Sequence, residues 1–104
     1  MTCVTFPAMS SSVHRIVAPV EVDPATVSEL VEALSTHPPE ATIEVDCSAV
    51  EFMDSAGVRA LTMAAQRQEA GGGSLHVVQP TKVVRRILEI TALTELIGED
   101  PSPA

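Results

Sequence analysis

Short apolar runs rich in β-branched residues alternate along this chain with longer stretches whose apolar positions recur at helical spacing. Val13 to Val20 is the first clear run of the former kind. It predicts a strand, and Pro19 places its end near an edge or a bulge because proline cannot donate to a ladder. A shorter β-favouring start, Cys3 to Phe6, precedes it and is closed by Pro7 and the polar Ser10, Ser11 and Ser12. Asp23-Pro24 then marks a helix start, with Asp as N-cap and Pro at the first helical position. Val27, Leu30, Val31 and Leu34 follow at i, i+3, i+4 and i+7, which makes one apolar stripe. His37-Pro38-Pro39 ends that helix.

Alternation through Ala41-Thr42-Ile43-Glu44-Val45-Asp46 predicts a half-buried strand. After a short connection, Val58 to Glu69 returns to helical spacing. Val58, Leu61 and Ala65 are expected inside, and Arg59, Gln66, Arg67 and Glu69 outside. Gly71-Gly72-Gly73 stops this helix by tolerating positive φ. Ser74 to Val78 reads as another strand. Gln79-Pro80-Thr81 leads into a third helix, with Val84, Ile87, Leu88 and Thr91 on one face and Lys82, Arg85, Arg86 and Glu89 on the other. Leu93, Leu96 and Ile97 predict a short closing turn or helix, and the tail from Gly98, with Pro101 and Pro103, is expected to be loose. The order β-β-α-β-α-β-α-(α) implies a sheet with helices packed on it and parallel neighbouring strands.

At 104 residues the chain is long enough for one domain with a real core. The net charge of −8 is unevenly placed: residues 1–54 hold nine acids against Arg15 alone, and the remainder is balanced. An acidic half lacks the clustered Lys and Arg that phosphate contacts need. The absence of Trp and Tyr removes the stacking platforms of single-strand binders. Nucleic acid is therefore excluded as a partner. Two cysteines, Cys3 and Cys47, give neither a disulfide framework nor a zinc spacing. With no secretory-type start and no apolar run of membrane length, the expectation is a cytoplasmic protein with reduced thiols and no membrane insertion.

The chemistry concentrates in Val50-Glu51-Phe52-Met53-Asp54-Ser55-Ala56-Gly57. Ser55 is predicted at a helix N-terminus, where the first N–H groups lack intrahelical partners and the dipole is positive. That is a natural seat for an anion, including one installed covalently on the serine. Taken alone, Ser55 reads as an N-cap; Asp54 reads as a cap, as part of a recognition motif, or both. A hydrolase nucleophile would need Gly-x-Ser-x-Gly, and Met53 stands where the first Gly belongs. Asp46, at a strand end, has the position of a receiver phosphoacceptor, but Lys82 is the only lysine and the early acidic pair is missing. Cys47 reads as a small buried hydrophobe. Phe52 and Met53 read as core plugs, with Met53 in reach of a partner face, and Asp23 reads first as a helix cap.

From Val45 to Gly57 the chain resembles a STAS domain of the anti-sigma-factor antagonist type. That family reads strand, Asp, short loop, then Phe-hydrophobe-Asp-Ser-Ser-Gly running into a helix. The likeness continues through the turn at Gly71 and through Pro80…Val84-Arg85-Arg86-Ile87-Leu88, and covers roughly residues 13–97. Two positions depart from it. Ala56 replaces a frequent Ser, and Pro19-Val20-Glu21-Val22-Asp23 keeps the Asp but not the Gly of the family's Gly-Glu-Leu-Asp-like turn. The resemblance implies an α/β fold with a STAS-type mixed sheet of four to five strands and about four helices packed on it. It implies a single domain over residues 1–97, a flexible tail over 98–104, no cofactor, no metal and no catalysis. Its implied partners are an anti-sigma factor, which is a histidine-kinase-like serine kinase, and a PP2C-type phosphatase, in a transcription-regulating stress response. Its implied site is phosphorylatable Ser55, with Asp23, Met53, Asp54, Ala56, Gly57 and Val58 beside it at the partner surface. The same fold also serves as a STAS subunit of an ABC-type lipid transport complex, or as a non-phosphorylated scaffold or ligand-sensing module.

Overall fold

The computed structural model describes residues 13–98; the expected strand at Cys3–Phe6 and the tail over 99–104 lie outside them. Five strands form: β1 (Val13–Val17), β2 (Glu21–Val22), β3 (Thr42–Asp46), β4 (Phe52–Met53) and β5 (Ser74–Val78). Three α-helices join them: α1 (Val27–Ser35), α2 (Ser55–Ala70) and α3 (Lys82–Ile90). Among the described residues a 3₁₀ turn, Thr94–Leu96, follows.

The expected single mixed sheet is corrected in two ways. The strands form two separate ladders, β1-β3-β5 and β2-β4, and every pairing among the described residues is parallel. The division falls at Pro19 and Val20, between the two ladders. Ala18 donates to the Asp46 carbonyl at 3.0 Å, and pairing resumes only at Glu21. Among the described residues the helix number is also three, not about four. Ala92 takes a positive φ of 62° and ends α3, so Leu93–Ile97 has room for one 3₁₀ turn before Ile97 bridges Val77. Gly98, expected to be loose, donates to the Val77 carbonyl at 2.9 Å.

Parallel register puts Ile16, Val45 and Val77 in one row and His14, Ile43 and Leu75 in the next. Alternation sends those rows to a single face, where Ile16, Ile43, Val45, Leu75 and Val77 join the core. The other face carries the polar positions. There Arg15 reaches Glu44 at 3.0 Å and Asp46 at 3.4 Å, an exposed pairing worth about 0.2–1 kcal/mol.

Leu30 and Leu34 of α1, Val58, Leu61 and Ala65 of α2, and Val84 and Leu88 of α3 fill the core as their spacing predicts. Val31 was expected in the α1 stripe but is 46% exposed. Helix α1 starts four residues after Asp23. The Asp23 carboxylate instead caps a preceding turn, accepting from the N–H groups of Ala25 and Thr26, both at 3.0 Å. Thr91, expected on the inner face of α3, is its exposed C-cap.

The end of α2 is fastened by a residue that looks like a surface position. Gln68 is fully buried, and its amide donates to the carbonyls of Pro38 (3.0 Å) and Ala41 (2.9 Å). Arg67 donates to the Gln68 side-chain oxygen and to the His37 carbonyl. Buried amide groups are tolerated when paired in this way. Gly72, at φ 95°, then reverses the chain into β5.

Candidate functional site

The two-residue ladder β2-β4 positions the site. Glu21 pairs with Phe52 and Val22 with Met53. Val20 accepts from the N–H of Glu51 (2.7 Å) and of Phe52 (3.3 Å), and Val22 accepts from the N–H of Asp54 (3.1 Å). Because the strands are parallel, the residues that follow them, Asp23 and Asp54, leave the ladder at the same end. Two sequence-distant aspartates are thereby brought beside one another.

Asp54 is the N-cap of α2. Its backbone is extended and its carboxylate accepts from the Ala56 N–H at 2.9 Å. Its carbonyl accepts from Gly57 and Val58. The capping role is thus filled, and Ser55 is left as the first helical residue. Ser55 is exposed, and its hydroxyl makes no hydrogen bond among the described residues. It stands at the positive end of a sixteen-residue helix.

Gly57 lets this helix end sit close to the ladder. A Cβ there would lie 2.7 Å from Met53 Cγ and 2.7 Å from Val22 Cγ1. Met53 (4% exposed), Gly57 and Val58 are buried beneath the surface formed by Asp54, Ser55 and Ala56. Phe52 corrects an expectation: it is 48% exposed and is not a core plug. Alternation along β4 sends Met53 inward and Phe52 outward. Val20, 47% exposed, lies next to it through the backbone bonds above. Glu21 is exposed on the ladder and Glu51 just before it. An apolar spot with carboxylates around it therefore adjoins the free hydroxyl.

Arg59 is the residue that reading by segment passed over. It is exposed one helical turn after Ser55, and an i, i+4 pair shares a helix face. That spacing was available in the sequence and could have singled out Arg59 as a counter-charge for an anion on Ser55.

Cys47 is fully buried, and burial, aided by the Asp46 charge, pushes its thiol up to about 12. A thiol held protonated in this way is a poor nucleophile at neutral pH. The Ser48 N–H, at 2.9 Å, and then the Ser48 hydroxyl hold the Asp46 carboxyl below its ordinary value, with Arg15 adding to the effect. Among the described residues no cluster of three His, Cys, Asp or Glu side chains is placed to hold a metal, and no helix is long and apolar enough to cross a membrane.

A family model described as "Mlab, STAS domain" matches residues 7–98. Among solved structures, the fold is similar to that of the anti-sigma factor antagonist SpoIIAA in its unphosphorylated form. The TM-score is 0.68 and the identity 21%, covering 88% of this chain and 82% of that one. At that identity the likeness is one of fold. No curated protein matches the chain.

Proposed function

The chain belongs to the STAS domain family, and on that premise we propose that it is an anti-sigma-factor antagonist whose docking is switched off by phosphorylation of Ser55. The observation that carries this reading is the unengaged Ser55 hydroxyl, exposed beside a helix cap that Asp54 already supplies. The partner is a histidine-kinase-like serine kinase that closes over the N-terminus of α2. It contacts Asp54, Ser55, Ala56 and Phe52 directly, with Asp23 alongside, while Met53, Gly57 and Val58 fix the shape beneath.

In the transfer step the Ser55 oxygen attacks the γ-phosphorus of ATP, the bond to the ADP oxygen breaks, and a base on the kinase takes the hydroxyl proton. The serine is an acceptor and needs no activation from its own chain. The new group adds a charge of about −1.5 to −2. Within the free protein it is tolerated, since the helix dipole contributes about 0.3–1 kcal/mol and Arg59 lies one turn away. At a docked interface it arrives among Asp54, Asp23, Glu21 and Glu51. Burying it unpaired costs several kcal/mol, and each 1.4 kcal/mol is about tenfold in affinity. A PP2C-type phosphatase would restore the docking form.

A second reading is favoured by the match of residues 7–98 to an Mlab-type STAS family model. In it the same helix end docks on the ATPase of a transport complex and no phosphoryl group is transferred. One experiment separates the two: incubation with a histidine-kinase-like partner and ATP, followed by intact mass. The antagonist reading expects a gain of about 80 Da, one phosphoryl group, that is lost in Ser55→Ala. Docking on an ATPase with no mass gain supports the second reading and overturns the first.

A further inference from the structure

Resting on the reading of Ser55 as the phosphoacceptor, we propose that Arg59 latches the phosphoryl group in place, its guanidinium turned back over the helix end in a charge-assisted pair. The helix end alone has little to offer the new oxygens. Three of the first four N–H groups of α2 are already taken by Asp54. Ala56 donates to its carboxylate at 2.9 Å, and Gly57 (3.0 Å) and Val58 (3.2 Å) donate to its carbonyl. A phosphate brings strong acceptor oxygens, so their donors must come from a side chain or from water.

Arg59 is the cation placed to supply them. Residues at i and i+4 are neighbours on a helix face, and a helical side chain lies over the turn that precedes it. Arg59 therefore extends toward Ser55 and away from Met63. It is exposed and makes no hydrogen bond or ion pair among the described residues. Arg15, by contrast, is paired with Glu44 and Asp46, and Arg67 is bonded to His37 and Gln68. Nor does α2 offer Arg59 a rival. The positions at i−3, i+3 and i+4 are Ala56, Thr62 and Met63, none of them a carboxylate, and the Thr62 hydroxyl is given to the Val58 carbonyl at 2.8 Å. A planar fork that matches phosphate geometry is thus held one turn from an unengaged hydroxyl. Once latched, the pair remains negative, because one positive charge meets about −1.5 to −2. It also draws a long side chain across the surface of Asp54, Ser55 and Ala56, so that a partner is refused by bulk as well as by charge.

Phosphoserine placed at position 55 during translation tests the latch without a kinase. Phosphorus NMR against pH reads the second phosphate pKa, ordinarily about 6. A cation favours the dianion, so this pKa is expected to lie about 0.5 higher in Arg59→Gln than in the unsubstituted chain at low salt, with a smaller difference at high salt. Arg59→Lys keeps the charge without the fork and is expected between the two. The carboxylates that face the group, Glu21, Asp23, Glu51 and Asp54, raise the same pKa but are common to all three chains. Arg59 is exposed, and circular dichroism would confirm that each variant folds. Equal values in the unsubstituted chain and Arg59→Gln, or no difference between Arg59→Lys and Arg59→Gln, would overturn the latch. Failure of the kinase incubation described above would sink the phosphoacceptor reading alone, because this titration needs no enzyme.

Discussion

Helices α2 and α3 both begin just past a strand, and both begin at a hydroxyl-bearing residue, yet the two hydroxyls have different lives. Thr81 is the N-cap of α3. Its side chain accepts from the Val84 N–H at 3.4 Å and donates to the Val50 carbonyl at 2.8 Å. It is fully employed in joining α3 to the loop before β4. At α2 the carboxylate of Asp54 caps and the hydroxyl of Ser55 is left over. A hydroxyl at a helix N-terminus is thus structural when it is the cap, and becomes available for chemistry when the residue before it caps instead. The surroundings differ as well: Glu21, Asp23, Glu51 and Asp54 gather around the first terminus, whereas Lys82, Arg85 and Arg86 stand on the second helix.

The difference can be broken most severely at Thr81. Thr81→Ala removes the cap and strips the Val50 carbonyl, on a fully buried residue, of its partner. The expected loss is about 1–3 kcal/mol of unfolding free energy, read in urea titration. Asp54→Ala removes one capping bond from a half-buried site and is expected to cost about 1 kcal/mol by the same measurement. Ser55→Ala is expected to change stability by less than about 0.5 kcal/mol. A Ser55→Ala loss as large as that at Thr81 would erase the distinction between the two termini.

Acidification sharpens the contrast from a place remote in sequence from either terminus. His37 is held below the ordinary His value of 6.5, first by burial and then by the charge of His14, whose ring stacks on it at 4.4 Å. The unfolded chain therefore binds this proton more readily than the folded one. The stability is complete above 6.5 and is lost as pH falls from there through the lowered folded value. A small decline in melting temperature between about pH 7 and pH 5 is expected, and His37→Gln should flatten it.

The sequence made some of this legible and hid the rest for physical reasons. Strand β3 announced itself through alternation, β5 as a short, β-branched apolar run, and the core faces of α2 and α3 through helical spacing. The ladder β2-β4 did not, because two residues carry no period. That one omission concealed the meeting of Asp23 with Asp54 and the outward turn of Phe52. Gln68 reads as a surface residue because its partners are backbone carbonyls on a loop some thirty residues away. Asp23 was read as the N-cap of the first helix, but it closes the turn before it, and Thr26 continues that turn, through its hydroxyl to the Glu21 carbonyl at 2.7 Å, and delays the helix. Within the site, Ser55 and Asp54 were visible from their motif. Which of the two would cap was open until the geometry assigned that role to Asp54.

Titration calorimetry of the kinase partner against the unmodified and the Ser55-phosphorylated chain tests the central claim most directly. The phosphorylated form is expected to bind at least about a hundredfold more weakly, a loss of roughly 2.7 kcal/mol or more, with its circular dichroism unchanged. Equal affinity of the two forms would contradict a switch that works by placing charge at the mouth of α2.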